Sequence, residues 1–447
     1  MNFPLDKQVV DQLCKDFGLT TARQLGQASI RQMVGVIKEI ENKMNCEFIH
    51  MELGNPGLPA ERVGVEAQIK ALKEGVANKY PIIVGIDPLR HWASEFMKAF
   101  FNLDIPEDCI APCVGSMQGC FALDLLISQL RPERNTILFF DPCFPVQKQQ
   151  CKVIGIPVDT FEFGDFRGEK LHDALEAKLK SGKIGAILFS NPNNPSWMCL
   201  SDEELKVVGE LATKYDVVVI EDSAYLNMDV RDPERGRPYQ APYQPSVGHY
   251  THNCVHMVSC SKIFSYAGER AAVIAVDPEL AKRQFPALAE RYGNDGQFMR
   301  TLIYQALYVL SSGTPHSIQY AIAALFEAAC KGDLKYVENG LEYARRANRI
   351  KEIMLRNGFH IVYDKDTNGQ DVSDGFFFTF GYKDWTGEQL LNKLIYYGVS
   401  AITLGSTGAK REGMRGCSSA IREDQYEALE ERLRQFNADY KDYKHEA

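Results

Sequence analysis

Val255–Arg270, VHMVSCSKIFSYAGER, sets a short, mostly apolar run, two serines around a cysteine, a lysine and an arginine within sixteen consecutive positions. Val255 to Val258 has the length and composition of a buried strand that ends at Ser259. Lys262 therefore falls just past a strand's carboxyl end, which is where open α/β sheets bind ligands. A lysine in that place either pairs with acids on a surface loop or forms a Schiff base beside a phosphate. The stretch alone leaves both open.

Outward from it, residues Cys109 to Val276 alternate short apolar strands with helices and loops, the pattern of a largely parallel sheet. Cys113-Val-Gly115-Ser116 leads into a helix from Met117. Thr136 to Phe140 reads as a strand ending in Asp141-Pro-Cys-Phe144-Pro145. Ile184 to Ser190 ends in Asn191-Pro-Asn-Asn194-Pro195, and Asp216 to Ile220 ends in Glu221-Asp222-Ser-Ala-Tyr225. Each strand thus delivers polar or aromatic groups at its carboxyl end. A further strand, Ala271 to Val276, follows Arg270.

Outside this region the chain reads as an α+β module. Thr21 to Met44 has one apolar helical face through Ile30, Met33, Val34, Ile37 and Ile40. Glu47 to Glu52 reads as a strand, and Leu53-Gly54-Asn-Pro-Gly57 is a breaker-rich hinge. Helices are expected at His316 to Ala329 and at Leu334 to Leu355, the second with Leu334, Val337, Leu341, Ala344 and Ile350 on one face. A strand at Gly375 to Phe380 and a final helix from Glu423 complete it. The expected division is residues 1–55, which join the small domain, a large domain over 56–320, and a small domain over 321–447.

The 447 residues exceed one ordinary core. Charge is moderate, 50 Lys and Arg against 59 Asp and Glu for a net −9, which supplies no drive toward nucleic acid or an acidic membrane. There is no signal-peptide pattern and no apolar run of spanning length, so a cytoplasmic protein is expected. The 12 cysteines are scattered without C-x-x-C spacing and read as reduced packing residues. His252 and His256 lie in a loop-to-strand segment, where that spacing does not make a metal site. A helix amino terminus after Gly115-Ser116 offers amides to an anion or is a simple cap. No Walker loop and no G-x-G-x-x-G is present.

Taken in order, the strand-end groups resemble the class I and II aminotransferases, pyridoxal-phosphate enzymes of fold type I. The resemblance rests on Tyr80 with Gly85 and Leu89-Arg90, on Gly115-Ser116, on Asp141-Pro-Cys-Phe-Pro145, on Asn191-Pro-Asn-Asn-Pro195, on Asp222-Ser-Ala-Tyr225, on Ser259-Cys-Ser-Lys262, on Gly268-Glu-Arg270 and on Arg415. It spans nearly the whole chain. It implies a mostly parallel seven-stranded sheet sandwiched by helices, plus a smaller α+β domain built from both chain ends.

The resemblance also implies roles. Lys262 would hold pyridoxal 5'-phosphate as a Schiff base and shuttle a proton. Asp222 would pair with the pyridine nitrogen, a contact worth roughly 1.5–3 kcal/mol. Tyr225 and Asn194 would donate to the phenolic oxygen, and Phe144 would stack on the ring. Gly115, Ser116, the Met117 amide, Ser259, Ser261 and Arg270 would cradle the phosphate, the arginine by a forked contact. Tyr80 would reach the phosphate of the neighbouring subunit of a homodimer. Arg415 would bind the substrate carboxylate, with Gly54 and Asn194 beside it.

The reaction implied is transfer of an amino group from an L-amino acid to a 2-oxo acid by a ping-pong cycle. The alternative is elimination or decarboxylation on the same residues. A cofactor-sensing regulator is disfavoured, because the stretch ahead of Gly54 is short for a winged-helix module and linker. The chain departs from the family where Asn194-Pro-Ser-Trp197 replaces a motif that normally ends in glycine. That turn is expected to differ, with Trp197 projecting toward the substrate or the partner subunit. Gly416 and Glu269 also stand where apolar residues are usual, and no second arginine suited to a dicarboxylate side chain is evident.

Overall fold

Residues 3–443 are described in this computed structural model. By their contacts they divide into two units. The larger comprises Pro59–Asn193 and Cys199–Gly340; the smaller takes the chain up to Leu58, the short segment Asn194–Met198, and the chain from Leu341 onward.

The larger unit is built on a seven-stranded sheet. Its order is Ile110–Val114, Ala271–Val276, Cys254–Ser259, Val218–Asp222, Ile184–Ser190, Thr136–Asp141 and Val158–Glu162. All neighbours are parallel except that Ala271–Val276 runs against both of its own. The five strands from Ile110–Val114 to Ile184–Ser190 are almost entirely buried along their length. That burial is why they read as continuous apolar runs: helices cover both faces of a parallel sheet, so neither face needs polar residues.

Two registers bring polar groups together at the strand ends. Ser190 lies opposite Asp222, and Asp222 lies opposite Met257. Val114 lies opposite Ala271. Two chain segments that leave those paired ends, one into the helix Gly115–Ile127 and the other arriving through Arg270, are thereby set side by side.

The helix His316–Cys330 packs on Arg62–Lys73 and Asp87–Phe101. Their shared core is aromatic. Phe96 stacks on Phe326 at 4.4 Å, and Phe264 meets Tyr336 edge-on at 5.1 Å. Phe264, two residues past Lys262, anchors the lysine's short helix to this core.

In the smaller unit a four-stranded antiparallel sheet runs Ile402–Thr403, Met414–Cys417, Phe377–Tyr382, Phe359–Ile361. Separately, Ile49–His50 pairs in parallel with Val399–Ser400. One apolar core joins both chain ends, from Val10, Ile37 and Ile40 to Leu394, Leu429 and Phe436.

Two helical expectations shift. Thr21 to Met44 is two helices, Ala22–Gly26 and Ile30–Met44, because Ser29 and Gln32 form a second capping box that stops one helix and starts the next. The long helix is Val337–Arg356, and its buried face runs through Tyr343, Ala347, Ile350 and Met354, leaving Leu341 44% exposed. The larger aromatic side chain sets the phase. Among the described residues no cysteine is in a disulfide, and no helix is long and apolar enough to cross a membrane.

Candidate active site

Asp222 ends a central strand and is buried by its neighbours. Its Oδ2 accepts a hydrogen bond from Gln147 Nε2 at 3.0 Å, while Oδ1 has no hydrogen-bond partner among the described residues. Burial in low dielectric pushes its carboxyl up to about 6, and the nearby Ala224 amide and the Gln147 side chain oppose that rise. Gln147 sits in the first turn of the helix Pro145–Ile154, which Pro145 starts and Phe144 precedes as N-cap. Phe144 is half-buried.

Lys262 lies on the next strand's exit. Cys254–Ser259 runs beside Asp222's strand, and Ser259 caps the short helix Cys260–Ile263, its hydroxyl accepting from the Ser261 amide at 3.2 Å. Cys260, Ile263 and Phe264 are buried on either side and hold the lysine's backbone, leaving Lys262 half-buried. Tyr225 is buried in the turn after Asp222, where the Met228 amide donates to its carbonyl at 3.1 Å.

Gly115, Ser261 and Arg270 form one cluster. Gly115 has φ +70, and a Cβ there would run into Arg270 Nη2, so only glycine lets the guanidinium lie against this backbone. Arg270 is itself left-handed, φ 55, and is fixed by Nη1 donating to the Ala267 carbonyl at 2.7 Å and reaching Ser261 Oγ at 3.5 Å. Ser116 and Met117 follow in the first turn of a thirteen-residue helix whose leading amides have no intrahelical acceptor. Gln150 donates to the Met117 carbonyl at 2.7 Å. A cation, a helix amino terminus and hydroxyls in one place suit a phosphate.

In the smaller unit Arg415 is 2% exposed. Its Nη2 donates to the Glu52 carbonyl at 2.6 Å, Nη1 reaches Asn194 Oδ1 at 3.4 Å, and the guanidinium lies 4.5 Å over the Phe377 ring. The Gly54 backbone abuts the same ring.

Trp197 departs from expectation. It keeps the left-handed backbone that a glycine would take, φ 63, so the turn is retained. It is fully buried, its indole packed where a Cβ on Gly375 would stand and edge-on to Phe377 at 6.1 Å. The missing side chain of Gly375 makes room for it.

Tyr80 is 90% exposed and makes no hydrogen bond or ring contact among the described residues. Gln147, Glu52, Phe377 and Gly375 were not foreseen. Gln147 alone carries a local signal, three residues past Phe144 at the head of a helix that leaves a strand end.

A family model described as aminotransferase class I and II matches residues 49–429. A probable aspartate aminotransferase of Methanocaldococcus jannaschii is 26% identical over 385 residues, covering 83% of this chain and 90% of that protein. An LL-diaminopimelate aminotransferase of Aquifex aeolicus is 26% identical over 54% of this chain and 61% of that protein. Among solved structures, an aspartate aminotransferase from Thermotoga maritima has a TM-score of 0.73 at 18% identity, covering 93% of this chain and 98% of that one. An alanine aminotransferase from Pyrococcus furiosus has a TM-score of 0.73 at 19% identity over 94% and 99%. These structural likenesses bear on the fold.

Proposed function

Because this chain belongs to the class I and II aminotransferase family, we propose that the transaminase it forms binds pyridoxal 5'-phosphate through Lys262, Asp222 and the Gly115–Arg270 cluster. It moves an amino group from an L-amino acid to a 2-oxo acid. The lyase reading shares every one of these residues and is set aside, since these relatives are aminotransferases or transaminases by name.

The observation that carries the cofactor assignment is Asp222. A buried carboxylate with one oxygen unpaired is costly unless a cation faces it, and a protonated ring nitrogen is such a cation. The cluster of Gly115, Ser261 and Arg270 supplies the matching anion cradle. When bound, this cofactor supplies an aldehyde that captures the amino group and a ring that withdraws electrons from the bond to be broken.

The chain's residues do the rest. Asp222 holds the proton on the ring nitrogen. Gln147, donating to Oδ2, keeps Oδ1 aimed at it. Tyr225 would donate to the cofactor's phenolic oxygen, and Phe144 would pack against the ring. Lys262 Nζ would anchor the cofactor's aldehyde and, once displaced, would take up the proton from the substrate's α-carbon. Arg415, held with Asn194 at its side, takes the substrate carboxylate by a forked contact.

A homodimer fits the exposed apolar face of the larger unit. Tyr80 and Ile82 stand there with Tyr304, Tyr308 and Val309. Segment 79–83 packs against 311–316, with Gly313 lying over Pro81 and His316 reaching the Lys79 carbonyl. Pairing this face would cover Tyr80 and carry it to the neighbouring subunit. Twelve thiols without a disulfide suit the reducing cytoplasm.

The test is spectroscopic. In purified protein loaded with pyridoxal phosphate, an amino acid converts the lysine-bound form of the cofactor to the amine form, and a 2-oxo acid reverses it. No conversion by any of the common amino acids defeats the proposal.

A further inference from the structure

Glu52 is wholly buried, a costly placement for a carboxyl group unless it is paired. Its Oε1 meets His50 Nδ1 at 2.8 Å, and its Oε2 accepts from the Ser400 hydroxyl. His50 Nε2 lies 3.1 Å from Glu41 Oε1 on the helix Ile30–Met44. The charged groups facing His50 are thus two carboxylates from different elements. Arg432, from the helix Tyr426–Tyr440, is turned instead to the Gly398 and Glu47 carbonyls. The two acids hold the imidazole charged, with its pKa raised to about 9, chiefly by the hydrogen bond to Glu52.

The same residues carry Arg415. The Met51 amide donates to the Ser400 carbonyl at 2.9 Å, the Cys417 amide donates to the Met51 carbonyl at 2.9 Å, and Arg415 donates to the Glu52 carbonyl. Residues 49–52 therefore form a splint between the strand Val399–Ser400 and the strand that bears Arg415. The Glu52 side chain points into the ion pair while its carbonyl holds the guanidinium, so whatever fixes one fixes the other.

We propose that His50 is a positioning residue for Arg415: its imidazolium neutralises the buried Glu52 carboxylate and so keeps the Glu52 carbonyl where it orients the guanidinium for a substrate carboxylate. This rests on the reading of Arg415 as the carboxylate-binding group. The pair stays open to solvent pH through its histidine, because His50 is partly exposed while Glu52 is not.

The experiment uses the holoenzyme and, as probes, the twenty common L-amino acids and their 2-oxo acids; the pair with the fastest half-reactions is carried forward. His50→Gln should raise KM for both members about tenfold with kcat within a factor of about two, because one partner of a buried pair is lost. The double variant His50→Gln, Glu52→Gln should regain most of that loss, since two neutral amides leave no buried charge. A 2-oxo acid has no group titrating near pH 9, so its KM in the unmodified enzyme should rise as pH passes about 9 and stay flat in the double variant.

In the cofactor-free protein the His50 ring should titrate near pH 9 by NMR, and near the ordinary histidine range in Glu52→Gln. If Arg415→Ala raises KM while His50→Gln does not, or the pH limb is absent from the unmodified enzyme, the inference falls and the Arg415 reading stands. If Arg415→Ala leaves KM unchanged, the reading falls and takes the inference with it.

Discussion

Asp222 and Arg415 are both buried charges, and they are held in opposite ways. Asp222 has one oxygen on Gln147 and the other unpaired, and burial raises its carboxyl to about 6. Arg415 has its guanidinium over an aromatic ring, one arm on a backbone carbonyl and the other toward an amide oxygen. The first is a buried carboxylate with one oxygen left without a hydrogen bond, a costly placement unless a cation faces it. The second is held in one orientation by the chain itself, which on the proposed reading lowers the ordering cost of binding a carboxylate. On the proposed reading, the carboxylate is left for a ligand to complete and the guanidinium is preorganised.

Removing the covalent anchor is the most severe break. Lys262→Ala should lower kcat by about four orders of magnitude or more, with loss of the lysine-bound cofactor absorbance while Arg270 still retains phosphate. Activity within a factor of about ten of the parent would exclude the lysine from the chemistry.

On the preorganised side, Trp197→Ala should destabilise the protein by about 3–5 kcal/mol in denaturant unfolding, because it empties the notch over Gly375 and withdraws the edge packed on Phe377. A neutral result would mean the indole is replaceable packing.

Arg415→Ala should raise KM for the amino donor and cost about 2–5 kcal/mol in kcat/KM, leaving cofactor absorbance intact. A fall in kcat alone would place Arg415 in the chemistry instead.

Asp222→Asn sharpens the contrast with the smallest effect on stability. An acid whose folded pKa is raised binds more protons folded than unfolded between about pH 4 and 6, so the cofactor-free protein loses stability as pH rises through that window. Asp222→Asn should therefore stabilise the cofactor-free protein at pH 7 by about 2–3 kcal/mol while abolishing turnover. A destabilised variant would show that the carboxylate is satisfied without ligand.

The two groups also differ in how much of each is legible before folding. Lys262, Asp222, Gly115 and Arg270 sit next to strands whose apolar runs announce them, and the sheet register then makes neighbours of residues far apart in the chain. Arg415 carries only a short motif, and its partners leave no mark: a carbonyl belongs to every residue, and Phe377 and Gly375 read as an ordinary strand. The helix break at Ser29 is legible as a capping box, and the apolar stripe begins only at Ile30, just after it.

Sequence by itself determined the fold class, the family and the residues at the strand ends, because burial on both faces writes continuous apolar strands and the chemistry follows at their ends. Only the tertiary structure decided what Trp197 does. Its side chain is large enough to point anywhere, and the absence of a Cβ at Gly375, 178 positions later in the chain, is what draws it inward. The same holds for Glu52, whose buried side chain is met in space by His50 and Ser400 while its carbonyl takes Arg415.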